Sequence, residues 1–233
     1  MKHRRRRISG SEAVAGFTWN IASVIASGID PAPMVSRGTA GPGDDRAAGR
    51  DNSMKLIILD RDGVLNVDSD AFVKSPDEWL PIPGSLEAVA RLNHAGYRVV
   101  VATNQSGIGR GLFDLETLNL IHRKMHRMVQ EAGGLIEAVF FCPDVDEANP
   151  YRKPNPGMLL EIGRRLKCGL QGVPVVGDSV RDIRAARAAN ARPLLVLTGK
   201  GAQTLEREAE SCANVRAFKD LAAVADYLTA RNE

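Results

Sequence analysis

The chain has 233 residues, 44% apolar, 25% charged and only 5% aromatic, a balance that suits a compact soluble domain and excludes disordered or collagen-like chains. Three cysteines, Cys142, Cys168 and Cys212, form no C-x-x-C pair and cannot build a disulfide framework, so a reducing cytosol is the expected location. The formal charge of +3 is unevenly placed: residues 1–53 hold eight Lys/Arg against five acids and leave 23 of each sign beyond, so the body lacks the bulk charge that nucleic-acid or membrane binding would need.

Residues 1–53 show a basic cluster (Arg4–Arg7), an interrupted apolar stretch from Ala13 to Ile29, and a Pro/Gly/Asp segment. The stretch is a poor signal or anchor, because it falls short of the roughly 20 predominantly apolar residues a spanning helix needs. Four arginines would suit RNA phosphates. The reading adopted is a disordered extension or a mis-assigned start, since Met54 directly precedes a strong strand.

From 54 to 233, short β-branched runs alternate with segments of helical period. Lys55–Leu59 reads as a strand and Ser85–Ala95 as a helix. Arg98–Ala102 reads as a strand, Leu115–Ala132 as a helix stopped by Gly133-Gly134, and Ala138–Phe141 as a strand. Gly157–Leu166 follows as a helix, Val173–Val176 as a strand, Val180–Ala189 as a helix and Pro193–Leu197 as a strand. A further helix, a short strand near Val215–Phe218 and a helix over Leu221–Ala230 close the chain. Strands apolar throughout, each followed by a crossover helix, predict an α/β fold: a Rossmann-like parallel sheet sandwiched by helices.

Such a sheet places working residues at strand C-terminal ends. Those ends read Asp60-Arg-Asp62-Gly, Thr103-Asn104-Gln105 and Gly177-Asp178-Ser-Val-Arg-Asp182. In an extended chain Asp60 and Asp62 face the same way, and two close acids favour a divalent cation between them. With Asp178 they would offer an all-oxygen Mg²⁺ site, and such a site takes part of its shell from phosphate. Arg110, within Gly107–Gly111, and Arg152, beside Lys153, supply more positive charge than one reacting phosphate requires, which suits a second, non-reacting phosphate. Gly107–Gly111 lacks the G-x-G-x-x-G spacing of a dinucleotide site. His122 and His126 have the i, i+4 spacing of a metal pair, but Arg123, Lys124 and Arg127 around them predict a solvated face. Arg181, Arg184 and Arg187 read as an exposed stripe, with Arg181 nearest any substrate.

The four ordered motifs, Asp60-x-Asp62-Gly-Val, Thr103-Asn104, Lys153 and Gly177-Asp178-x-x-x-Asp182, resemble those of the haloacid dehalogenase-like phosphohydrolases. Phe72-Val-Lys-Ser-Pro, Thr103-Asn-Gln-Ser-Gly-Ile-Gly-Arg-Gly and Arg152-Lys-Pro-Asn-Pro-Gly-Met narrow the resemblance to the heptose-bisphosphate phosphatases, with histidinol-phosphate phosphatases as near relatives. It covers 54–233 and none of 1–53. It implies an enzyme without a large cap domain, acting on a small phosphorylated sugar as a monomer, and removing the 7-phosphate of heptose 1,7-bisphosphate on the way to ADP-heptose for lipopolysaccharide. Asp60 would be the nucleophile, forming an aspartyl-phosphate, and Asp62 the acid and base. Thr103 and Lys153 would hold the phosphoryl oxygens. Mg²⁺ would sit between Asp60, the backbone carbonyl of Asp62, and Asp178, while Asp182 would orient Lys153. Asn66, Asp68, Asn104, Gln105, Ser106, Arg110 and Arg152 would contact the substrate. The pocket would be covered by the loops Asn66–Pro83 and Cys142–Arg152. The family's zinc loop has lost all but Cys142 of its ligands here, so structural Zn²⁺ is not expected.

Overall fold

The computed structural model describes residues 55–230, so the reading of 1–53 lies outside the described residues. Six strands, β1 (Lys55–Leu59), β2 (Tyr97–Asn104), β3 (Ala138–Cys142), β4 (Pro174–Gly177), β5 (Arg192–Val196) and β6 (Arg216–Phe218), form one sheet in the order β3-β2-β1-β4-β5-β6. Every pairing is parallel. The helices are α1 (Ser85–His94), α2 (Ser106–Gly109), α3 (Leu115–Glu131), α4 (Gly157–Leu166), α5 (Val180–Ala188), α6 (Gly201–Arg207) and α7 (Leu221–Thr229). The expected α/β sandwich is present, and no large cap domain interrupts it among the described residues.

Strand alternation sorts the apolar residues onto two faces. Ile57, Leu59, Val99 and Val101 pack with Val89 and Leu92 of α1, Ile121 and Met125 of α3, and Val224 of α7. Leu56, Ile58, Val100 and Ala102 point the other way, onto Met158 and Ile162 of α4 and Ala185 and Ala186 of α5. Both faces are covered, which is why the strands read as unbroken apolar runs. The chain runs outward from β1 to β2 and β3, then crosses back to β4 on the other side of β1. That reversal opens a crevice at the C-terminal ends of β1 and β4, where such sheets bind ligands.

Two differences from the expected elements matter. β2 is longer, reaching Asn104 because Thr103 and Asn104 still pair with Phe141 and Cys142 of β3. An element the expected series lacks also appears: Ser106–Gly109, overlapping the Gly107–Gly111 run, forms the single turn α2, where a side chain on Gly107 would collide with the Phe113 ring.

The loop between β1 and α1 is anchored from below. Trp79 and Val73 are buried in the same cluster as α1 and α3, and Lys124 of α3 donates to the carbonyls of Pro76 and Trp79 at 2.7 and 2.9 Å. Asn66 bridges backward to Asp62 and forward to Pro81. Trp79→Ala is therefore expected to cost roughly 3–5 kcal/mol, the usual loss for a buried Trp. Urea unfolding monitored by circular dichroism checks it, with a shifted midpoint and an unchanged slope as the signature.

Candidate active site

Asp60 follows β1 and keeps the sheet pairing, its backbone N–H donating to Val176 at 2.8 Å, so its carboxylate projects into the crevice. Its Oδ1 accepts from the Arg61 N–H at 2.7 Å, and its Oδ2 lies 2.9 Å from Lys153 Nζ. Lys153 is almost wholly buried and also donates to Asp182 Oδ1 at 2.6 Å and to the Ala102 carbonyl at 2.8 Å, which uses all three ammonium protons. Asp182 is held in turn by the start of α5: its Oδ2 accepts from the Ser179 N–H at 3.1 Å and hydroxyl at 2.5 Å, a reciprocal capping box. Asp182 thus stands where a residue orienting Lys153 would stand.

Asp178 directly follows β4 and is enclosed by two glycine turns. A side chain on Gly63 or Gly199 would collide with its Oδ2, and both glycines take left-handed φ, +76° and +56°. Thr198 ties these turns together by donating to the Gly63 carbonyl at 2.6 Å. The Lys200 N–H donates to Asp178 Oδ2 at 2.8 Å. Asp60, Asp178 and Asp182 each offer an oxygen within 4.8 Å of the others, a hard-donor cluster suited to a small divalent cation.

The charges do not balance. Burial raises the Asp60 carboxyl well above its ordinary value, Lys153 offsetting this only in part while Asp182 and Asp178 add to it. Burial, then Asp182, pushes Asp178 up to about 7, against the Lys200 N–H. Burial also pushes Asp182 up, but Lys153 and the Ser179 donors outweigh it and hold the carboxyl below its ordinary value. For Lys153 the cost of burial is outweighed by Asp182 and Asp60, which keep the ammonium charged.

A cleft of about 250 Å³ opens over this cluster, lined by Asp60, Asp62, Thr103, Lys153 and Asp178. Asp68, Asn104, Gln105, Ser106, Arg110 and Arg152 also line it, so six of the seven expected substrate contacts face the cleft. Asn66 is the exception: fully buried and off the cleft wall, it donates to Asp62 Oδ1 at 2.9 Å and so supports Asp62 from behind. Asn104 spends its amide on the backbone of Lys153, accepting from its N–H at 3.1 Å and donating to its carbonyl at 2.9 Å. Gln105 Nε2 bridges Asp62 Oδ2 and the Thr103 hydroxyl at 2.9 and 3.0 Å. Of the two expected covering loops, 66–83 supplies a wall through Asp68, Ser69, Asp70, Phe72 and Val73, whereas Cys142–Arg152 contributes only Arg152. The second loop is knitted by Asp144 and Asn149, by Asn155 onto the carbonyls of Glu147 and Asn149, and by Arg152 onto the Asp144 carbonyl.

Sequence reasoning missed Lys200 and Arg61 and misplaced His122. Lys200 lines the cleft and pairs with Asp68 and Asp70 at 3.1 and 3.4 Å, tying the 66–83 loop to the turn around Asp178. His122 does not lie on a solvated face: it is 1% exposed, its Nε2 3.5 Å from the buried Arg61 guanidinium. Its charged neighbours in sequence point away around the helix, and only the apolar period through Leu118, Ile121 and Met125 could have placed it inside. Arg181, Arg184 and Arg187 are exposed as expected, and Arg181 reaches the cleft.

A HAD-hydrolase-like family model matches residues 150–224. The chain is 57% identical over 176 residues to D-glycero-beta-D-manno-heptose-1,7-bisphosphate 7-phosphatase of Bordetella bronchiseptica, covering 75% of this chain and 98% of that one. It is 51% identical to the enzyme of the same name from Pseudomonas putida, covering 75% and 99%. The crystal structure of D,D-heptose 1,7-bisphosphate phosphatase from B. bronchiseptica complexed with magnesium and phosphate superposes with a TM-score of 0.73 at 57% identity, over 75% of this chain and 98% of that one. No helix among the described residues is long and apolar enough to cross a membrane.

The raised Asp178 carboxyl has a sign that stability measurements can read. Between about pH 4, where an unfolded Asp releases its proton, and about 7, where the native one does, the native state binds more protons. Its contribution to stability therefore falls as pH rises through that window. In metal-free buffer, the stability of wild type relative to Asp178→Asn is expected to decline from pH 4 to 7, and thermal unfolding midpoints across that range check it.

Proposed function

This chain belongs to the haloacid dehalogenase-like phosphatases, and from that premise we propose that it hydrolyses the 7-phosphate of D-glycero-D-manno-heptose 1,7-bisphosphate, in ADP-heptose formation for lipopolysaccharide, through an aspartyl-phosphate on Asp60. The observation that carries the chemistry is Asp60 held between the Arg61 N–H and the Lys153 ammonium, with one carboxylate edge fixed and the cleft in front. An oriented carboxylate divides one difficult displacement into two easier ones. Lys153 and the Thr103 hydroxyl stand beside it on the cleft wall, where they would take the charge of the transferring phosphoryl oxygens. Asp62, on the same wall, would protonate the leaving sugar oxygen and then take the proton of the attacking water.

The oxygens of Asp60 and Asp178, two of the three acids in the cluster, suit Mg²⁺, and the Asp62 carbonyl, as the family resemblance implies, would join them in holding it. When bound, the cation neutralises charge on the phosphoryl group and on the carboxylates around it. Asp182 is already committed to Lys153 and Ser179, which supports its role as the residue that orients the ammonium.

A bisphosphate is favoured over a monophosphate by the guanidinium groups at the rim. Arg110 is exposed on the cleft, and Arg152 is buried beneath it with Nε unpartnered among the described residues. Fork-shaped donors suit a second, non-reacting phosphate. A cleft of about 250 Å³ with no large cap over it among the described residues suits a small sugar. We further propose a cytoplasmic monomer with 54–233 as its working domain.

Phosphate release from a panel of heptose bisphosphate, sugar monophosphates and histidinol phosphate, with and without Mg²⁺, tests this reading. Heptose bisphosphate is expected to give the highest kcat/KM, only with Mg²⁺, and a preference for histidinol phosphate would overturn the substrate. Asp60→Asn is expected to abolish turnover. Arg110→Ala is expected to lower kcat/KM for the bisphosphate by about 10- to 100-fold, the worth of a hydrogen bond to a charged group, while a sugar monophosphate is hydrolysed as before.

A further inference from the structure

Alternation along β1 assigns position 61 to the core. Ile57 and Leu59 face α1 and α3, and the next residue on that side is Arg61, which is fully buried. The core face of α3 likewise carries Leu118, Ile121 and Met125, and among them sits His122, also buried. Two polar side chains thus stand where the pattern calls for apolar ones, and they meet, Arg61 Nη1 lying 3.5 Å from His122 Nε2. Burying a guanidinium costs several kcal/mol, and a well-packed apolar residue there would serve stability as well or better. Breaks of this kind in an otherwise consistent pattern gather at working sites.

The remaining contacts of Arg61 show the use. Its Nε and Nη2 form a fork on Asp62, at 3.2 and 2.9 Å to Oδ1 and 3.0 Å to Oδ2. Asn66 adds a donor to Oδ1 and Gln105 one to Oδ2. Arg61, Asn66 and His122 stay off the cleft wall, whereas Asp62 and Gln105 are on it. The fork therefore grips the carboxylate from the protein side and fixes its plane.

We propose that Arg61, backed by His122, is a positioning residue that aims the Asp62 carboxylate at the leaving-group oxygen. The proposal rests on the reading of Asp62 as acid and base. Arginine only donates, so His122 Nε2 accepts and the imidazole is neutral. Burial, and then the Arg61 charge, hold it in that form. Lysine at 61 keeps the charge but lacks the fork.

The test compares an alkyl phosphate, which needs a proton for its leaving oxygen, with p-nitrophenyl phosphate, which leaves unaided. Asp62→Asn is expected to lower kcat on the alkyl phosphate by about 10²- to 10⁴-fold, the range for general acid–base catalysis, and the phosphorylation burst with the aryl phosphate far less. Arg61→Met and Arg61→Lys are expected to show the same asymmetry, with alkyl kcat down about 10- to 100-fold and KM within about threefold. His122→Gln should show it more weakly. Arg61→Met combined with Asp62→Asn is expected to be no slower than Asp62→Asn alone, since Arg61 acts only through Asp62. Additive losses, equal losses on both substrates, or full alkyl activity in Arg61→Lys overturn the proposal. Should Arg61→Met fail to fold, Arg61→Lys enters the same cycle. If Asp62→Asn shows no leaving-group dependence, the role of Asp62 fails first and this proposal with it.

Discussion

Three carboxylates and one ammonium share a volume from which most water is excluded, and that imbalance governs the site. Burial first, and then the neighbouring carboxylates that Lys153 alone cannot neutralise, raise Asp60 and Asp178, while Asp182, bonded directly to Lys153 and Ser179, stays low. Charges this deeply placed are costly unless paired. Lys153 pairs with Asp60 and Asp182, while Asp178 has a backbone N–H, that of Lys200, in place of a cation. A cation held by Asp60 and Asp178 would supply the missing positive charge, and its chemistry would suit a phosphate beside it.

The sheet order makes this crowding possible. β1 lies between β2 and β4, so residues following each of three strands, separated by more than a hundred positions in the chain, arrive at one crevice. The glycines complete the geometry. At Gly63 and Gly199 the chain turns with positive φ against the Asp178 carboxylate, and a Cβ at either place would occupy the carboxylate's own space. The Thr198 hydroxyl then bonds one turn to the other. Backbone shape, more than side-chain packing, sets where Asp178 points.

How much of this was legible in the sequence follows from how local each signal is. Unbroken β-branched runs marked the strands, and their ends marked the crevice, because both depend on neighbours in the chain. The groups facing the cleft, Asp60, Asp62, Thr103, Lys153 and Asp178 among them, could be named from strand ends and motif order. What lay behind them could not. Asn66 and Asn104 look like substrate contacts by residue type, yet Asn66 supports Asp62 from behind while Asn104, although on the cleft wall, clasps the Lys153 backbone. His122 was misplaced because its immediate neighbours are charged, although a helix returns to the same face only every third or fourth residue. Lys200 carried no signal, since its partners Asp68 and Asp70 lie more than a hundred residues away and meet it only through the fold.

The two buried polar networks at the crevice differ in a way that separates their work. Around Asp62 the charges balance: one guanidinium meets one carboxylate, with Asn66 and Gln105 donating to the carboxylate and His122 beside the guanidinium, although the buried Asn66 Oδ1 is left without a partner. Around Asp60 and Asp178 the charges do not balance. A self-balanced network needs nothing from solution and holds its geometry whether or not ligand is present, which suits a group that must be aimed. An unbalanced one gains from any positive charge brought to it, which supports the proposed cation site and places its basis in the fold rather than in surface contacts. Arg61 touches both, its backbone N–H donating to Asp60 Oδ1 and its guanidinium to Asp62. The side short of positive charge and the carboxylate proposed as acid and base are thus held by one residue.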